Sequence, residues 1–126
     1  MAIELRSDRI DFPSGNVTGL RAAGRTYLVD RLPRACWVAM AGYDARYDSS
    51  DHHIKTLHVE LTCGMGVGEF GPGIWVTARL HLRDRNGDDP FSGWVDYVLF
   101  VDTDRTAPFD PGVVNVGIER WSLSPP

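Results

Sequence analysis

The sequence contains little lysine, little cysteine and no long apolar run. Of its 126 residues, 13 are basic, and Lys55 is the one lysine among them. No stretch approaches the roughly 20 consecutive apolar residues that a membrane-spanning helix needs. The first residues, MAIELRSDRI, carry charges where a signal peptide has its apolar segment. These absences predict a soluble protein without membrane insertion, which is cytoplasmic or released by a route that uses no signal peptide.

The charge balance and the cysteines narrow the class of protein further. A net charge of -4 and a pI near 5.4 disfavour attraction to phosphate backbones, so we expect no nucleic-acid partner. Cys36 and Cys63 each lie in an apolar, strand-like run. We predict that both are free thiols in a reducing compartment and pack as small hydrophobic side chains, although a disulfide is geometrically feasible if the two runs meet.

Helical periodicity is nearly absent, and alternation between apolar and polar residues dominates. In the segments 53–63 and 74–84 every second residue is apolar, which is typical of a half-buried antiparallel strand. The segment 64–73 is rich in glycine and predicts a loop. Further strands are expected at 3–12, 17–22, 25–29, 35–47, 94–102 and 113–123. The whole pattern predicts an all-β fold: one antiparallel β-sandwich domain over residues 1–126, with about 6–9 strands and little or no helix.

Two of the predicted strands are apolar on both faces. In 35–47, strict alternation places Trp37 and Tyr43 on one face and Cys36 and Met40 on the other. The segment 97–101 is apolar throughout. The second face of 35–47 becomes polar towards its end, so this strand is expected to pass from the core towards a rim. The strand that contains 97–101 is either central in the sandwich or covered by a neighbouring subunit, so we expect a homo-oligomer.

One stripe of polar and aromatic side chains follows from the alternation. Trp75, Arg79 and His81 share the outward face of one strand, and His58 and Glu60 share the outward face of the strand before it. If the two strands pair, these five residues lie side by side. Indole rings stack on sugars, and charged side chains bind hydroxyl groups, so we predict a ligand-binding site here; the alternatives are a subunit interface and a solvated sheet face.

A calcium site and an enzyme are weaker predictions. Asp84, Asn86 and Asp88 place oxygen atoms at alternating positions of a turn, as calcium prefers, although an ordinary turn explains the same residues. No GxSxG, HExxH or paired CxxC motif is present. A small metal-dependent enzyme would have to use the histidines or the region of Asp102 and Asp104. We therefore expect no catalytic residue and no cofactor other than calcium.

The segment 33–44, PRACWVAMAGYD, resembles the H-type lectin pattern of a proline, a strand of small and apolar residues, and a Gly-aromatic-Asp element. The polar strand that follows and the apolar segment 97–101 occur in the same order, so the resemblance covers about residues 33 to 102. It implies a β-sandwich that binds galactose-type sugars between the subunits of an oligomer. The sequence thus predicts a lectin-like, carbohydrate-binding module, with a structural or assembly subunit as the alternative and a small enzyme third.

Overall fold

Seven strands make up the regular structure of the described residues. The structure, a computed structural model, describes residues 2–15, 17–48, 54, 56–84, 89–104, 118–121 and 123. The strands are β1 (Ile3–Phe12), β2 (Arg21–Val29), β3 (Ala35–Tyr47), β4 (Thr56–Gly68), β5 (Gly71–Arg83), β6 (Phe91–Asp102) and β7 (Ile118–Trp121). In these ranges there is no helix, and so no helix that is long and apolar enough to cross a membrane.

The strands form two sheets with one hydrophobic core between them. The first sheet has the order β1-β6-β3 and the second has the order β4-β5-β2-β7. Side chains of both sheets form a single buried cluster. The predicted all-β sandwich is therefore confirmed. The pairing is antiparallel except between β2 and β7, which run parallel, so the final strand departs from the purely antiparallel prediction.

The inner faces of β5 and β6 supply the centre of the core. Every second residue of β5 from Ile74 to Leu82 is at most 1% exposed, as the alternation predicted. In β6 the fully buried apolar side chains are Phe91, Val95, Tyr97, Leu99 and Val101. The strand lies between β1 and β3, so of the two alternatives for the apolar segment 97–101, a central strand or a strand covered by another subunit, the structure shows the central position.

Glycine misled the strand prediction in two places. The segment 17–22 is not a separate strand, because β2 begins at Arg21 and continues through Gly24. A Cβ at Gly24 would approach the Val76 carbonyl oxygen to 3.0 Å, so glycine suits this position inside the sheet. The predicted loop 64–73 is also wrong: β4 continues to Gly68 and β5 begins at Gly71, which leaves a two-residue turn between them.

A β-bulge changes which side chains of β3 face the core. The register between β3 and β6 shifts between Met40 and Gly42. An extra residue in a strand reverses the alternation beyond it. Val38 pairs with buried Leu99 before the shift, whereas Tyr43 pairs with buried Val95 after it. The predicted face that joined Trp37 to Tyr43 is therefore divided between the two sides of the sheet.

Several predicted features lie wholly or partly outside the described residues. Of the expected strand 113–123, the structure describes β7 and Leu123. Residues 105–117 are outside, as are His52 and His53 and two of the predicted calcium ligands, Asn86 and Asp88.

Candidate binding faces

The five residues of the predicted ligand site lie together on the outer face of the second sheet. His58 pairs with His81, and Glu60 pairs with Arg79, in the register of β4 and β5. Trp75 follows on the same face of β5 and pairs with Gly64. We call these residues, Trp75, Arg79, His81, His58 and Glu60, the polar stripe. The alternation that predicted their common face was sufficient because β4 and β5 form a hairpin.

The polar stripe satisfies much of its own bonding capacity. The Glu60 carboxylate lies 3.1 Å from His58 Nε2 and 3.5 Å from Arg79 Nη1. The His81 ring centroid lies 6.3 Å from that of Phe91, which is fully buried. Trp75 is half-buried, and its indole lies over Gly64, where a Cβ would come within 2.6 Å of Cε2. A ligand at this face would therefore compete with bonds that the protein already makes.

The outer face of the first sheet is different, because half of it is apolar and exposed. Leu5, Phe100 and Trp37 form one row across β1, β6 and β3, and Val98 lies in the next row. Leu5 is 59% exposed, Trp37 47% and Ile3 42%. We call Ile3, Leu5, Trp37, Val98 and Phe100 the apolar patch. A contiguous patch of large apolar side chains marks an interaction surface more often than single exposed residues do.

Charged and aromatic side chains occupy the other half of this face. Arg9 donates from Nε to Asp96 Oδ1 at 2.6 Å and from Nη2 to Asp96 Oδ2 at 3.0 Å. Its guanidinium lies 3.9 Å from the centroid of the Trp94 ring. Arg46 makes a second ion pair with Asp44 at 2.6 Å. We call these residues, Arg9, Asp96, Trp94, Asp44 and Arg46, the charged end.

The bidentate ion pair also shapes the electrostatics of the charged end. The hydrogen bond from Arg9 holds the pKa of the Asp96 carboxyl below its usual value, and the same bond raises the pKa of Arg9. Both groups are therefore charged at neutral pH. Beside them lies an open depression of about 360 Å³, whose lining includes Ser7, Arg9, Asp96 and the bulged Ala41.

Comparison with known proteins adds no assignment to these faces. No protein-family model, no curated protein and no solved structure matches the chain. The two faces are therefore interpreted from their own chemistry.

Sequence reasoning missed a polar cluster inside the sandwich. The Tyr27 hydroxyl donates to Asp8 Oδ2 at 3.0 Å and lies 2.5 Å from the Tyr97 hydroxyl. Burial, followed by the bond with Tyr97, raises the pKa of Tyr27. Arg25 approaches the same Asp8 oxygen at 3.5 Å, and Arg6 lies 5.0 Å from the centroid of the Tyr27 ring. The alternation places Asp8 and Arg25 on inward positions, which was the available signal.

This cluster joins the two sheets and does not form an accessible site. Tyr27 and Tyr97 are fully buried, so a substrate has no access to their hydroxyls. Buried hydroxyls need partners, and each tyrosine supplies one to the other across the layers. The cluster therefore serves to position β1 and β2 relative to β6.

The remaining acidic candidates have local structural partners. Asp102 is 2% exposed, accepts a hydrogen bond from the Asp104 amide at 3.1 Å and lies 3.9 Å from Arg34 Nη1. Asp84 is 3% exposed and is the one predicted calcium ligand that the structure describes. Among the described residues, no group of three or more His, Cys, Asp or Glu side chains is arranged to hold a metal.

Proposed function

We propose that this protein is a non-catalytic assembly module that binds a second copy of itself through the outer face of the first sheet. The row formed by Leu5, Phe100 and Trp37 carries the proposal. These side chains come from three adjacent strands, and two of them remain about half exposed although the core is complete without them. A partner that covers these side chains would remove apolar surface from water, which stabilises the complex by about 25 cal/mol for each Å² buried.

The charged end favours a second copy as the partner. It contains two arginines and two aspartates, so positive and negative groups are balanced on one surface. A two-fold axis places a face against itself, and a face of mixed sign can then pair Arg9 or Arg46 with an aspartate of the other copy. A face of a single sign would repel its own copy.

The size of the face is compatible with self-association. Three strands about 4.8 Å apart, each about 40 Å long at a rise of about 3.4 Å per residue, present roughly 600 Å². Two such faces together exceed the roughly 1,000 Å² that a specific interface needs, and they fall short of the largest obligate interfaces. The expected product is a dimer whose population depends on concentration.

Analytical ultracentrifugation of matched variants tests this proposal. Leu5 in the patch and Leu20 outside the strands are 59% and 55% exposed. Leu5→Ser should raise the dissociation constant of the dimer on the order of 100-fold. Each copy loses the burial of one leucine, which contributes about 1.5 kcal/mol, and a two-fold interface contains that leucine twice. Leu20→Ser should leave it unchanged. A wild-type chain that stays monomeric at high concentration would overturn the proposal, and so would equal weakening by both variants.

Carbohydrate binding by the polar stripe is the second candidate. The juxtaposition of Trp75 with Arg79 and Glu60 on one face supports it, together with the resemblance of residues 33–102 to H-type lectins. Sugar hydroxyls would exchange for the bonds that Glu60 now makes. A glycan array followed by calorimetry tests it: Arg79→Ala should abolish binding, and Arg46→Ala on the other sheet should not. The absence of binding to any sugar at millimolar concentration would refute it.

The calcium prediction is tested separately. Calorimetric titration of the purified protein with calcium should give a saturable isotherm that Asp84→Asn weakens, if the predicted ligands Asp84, Asn86 and Asp88 bind the ion. A titration that produces no heat of binding at millimolar calcium would refute the calcium prediction.

A further inference from the structure

The two cysteines meet across the interior of the sandwich. Cys36 lies on β3 in the first sheet and Cys63 on β4 in the second, and their Sγ atoms are 3.7 Å apart. Both strands are at the edge of their sheets, on the side where β3 packs over β4. Both are free thiols, as the sequence predicted, and both are half-buried. Their contact is thus a side-chain link between strands of two different sheets.

The geometry needs little change to form a covalent bond. A disulfide requires the sulfurs to lie about 2.05 Å apart, so each Sγ would move by roughly 0.8 Å, within the reach of small χ1 adjustments. Cys36 pairs with Val101 and Cys63 pairs with Val76, both of which are fully buried. The surrounding strands therefore hold the two thiols next to each other.

The thiols also differ in acidity. Cys36 donates its S–H to Cys63. This hydrogen bond lowers the pKa of Cys63, because the Cys36 S–H stabilises the Cys63 thiolate. The same bond raises the pKa of Cys36, because removing its proton as well would place two negative charges side by side. The thiolate is the form that attacks a disulfide, which favours Cys63 as the first nucleophile.

We propose that Cys36 and Cys63 are a redox-active pair that closes reversibly into an inter-sheet disulfide by exchange with a small-molecule disulfide such as oxidised glutathione. The Cys63 thiolate attacks one sulfur of oxidised glutathione, forms a mixed disulfide and releases one glutathione thiolate, which takes up a proton. Cys36 then loses its proton and attacks Cys63 Sγ, and the second glutathione leaves. Two protein thiols are oxidised by two electrons, and one oxidised glutathione becomes two reduced ones.

The disulfide would link β3 to β4 covalently, at the side of the sandwich where these two edge strands pack together. It would join two residues that are 27 positions apart in the sequence. A covalent loop of this length substantially restricts the conformations of the unfolded chain. The oxidised protein should therefore melt on the order of 10 °C higher than the reduced protein. The native fold need not change, because the two strands are already in contact.

Equilibration in glutathione buffers of increasing oxidised fraction tests the proposal. After acid quenching, thiol alkylation and intact-mass measurement, the wild-type chain should lose both alkylatable thiols together, with a mass lower by two hydrogen atoms and no attached glutathione. Dithiothreitol should restore both thiols. Cys36→Ser should stop at the mixed disulfide on Cys63, because the resolving thiol is missing.

Three results would overturn the proposal. They are two unreacted thiols in the most oxidising buffer, glutathione retained on both sulfurs, and a disulfide between two chains in place of one within a chain. The wild-type measurement decides the outcome even if the serine variant folds poorly. Cys63→Ser provides the reciprocal control, in which Cys36 should react more slowly than Cys63 does in Cys36→Ser.

Discussion

Gly64→Ala tests whether Trp75 is held on the sheet surface by the glycine beneath it. Gly64 on β4 pairs with Trp75 on β5. A Cβ at Gly64 would lie 2.6 Å from Cε2 of the indole and closer still to Cζ2. Atoms do not approach so closely, so the indole has to leave its place over β4.

The expected cost follows from the area that the indole covers. An aromatic side chain buries about 150–250 Å² when it is fully covered, and half of that, for half-buried Trp75, corresponds to roughly 2–3 kcal/mol at about 25 cal/mol per Å². Alanine also restricts the unfolded chain, which stabilises the fold by about 0.4–1 kcal/mol. The variant should therefore lose about 1 to 2.5 kcal/mol of unfolding free energy.

Gly42→Ala is the matched control. Gly42 also lies in a strand next to a tryptophan, but its Cβ would meet Trp94 Cζ3 at 3.8 Å, an ordinary contact. This variant should be as stable as the wild type or slightly more stable. Urea unfolding followed by far-ultraviolet circular dichroism measures both, and a red shift of tryptophan emission in Gly64→Ala reports the displaced indole. Equal stability of the two variants with unshifted emission would refute the reasoning.

Two further predictions concern polar contacts. Tyr27→Phe removes the hydroxyl that joins Tyr97 to Asp8 and should lower the unfolding free energy by about 1–3 kcal/mol, since buried partners lose a bond; a denaturation midpoint equal to that of the wild type would contradict this. The pKa of Asp96 is lowered by Arg9, so this pair stabilises the fold above the unfolded pKa of about 3.9, and its contribution is lost as pH falls through the lower folded value. Asp96→Asn should therefore reduce the melting temperature at neutral pH and not below that range, and a reduction that is the same at every pH would show that the charge is not its cause.

The parts of the fold that could be predicted are those in which local sequence determines the pairing. β1 and β3 have the predicted limits, and the inward residues of β5 are those that the alternation selected. The polar stripe could be predicted because β4 and β5 are consecutive in sequence. Once the two strands form a hairpin, the alternation of side chains along each strand is enough to place these residues on one face.

Where several interpretations of a residue agree with the sequence, the prediction failed. Glycine at Gly64 indicates a loop by composition, yet here it makes room for the indole of a paired strand. The bulge next to Met40 leaves no signal, because small and apolar residues surround it on both faces. The cysteine contact and the apolar patch also depend on partners far apart in sequence, which no local pattern specifies.

The outer faces of the two sheets differ in how much free energy each would gain by binding a partner. On the second sheet the Glu60 carboxylate is engaged by His58 and Arg79, and Trp75 is packed on Gly64, so this face has much of its bonding capacity satisfied within the chain. On the first sheet the charged end is likewise satisfied by its own ion pairs, but Leu5 and Trp37 remain in contact with water. Since a polar group without a ligand is solvated at little cost and an apolar group is not, the first sheet gains more from a partner than the second. That asymmetry is the reason for proposing self-association through the first sheet ahead of sugar binding at the second.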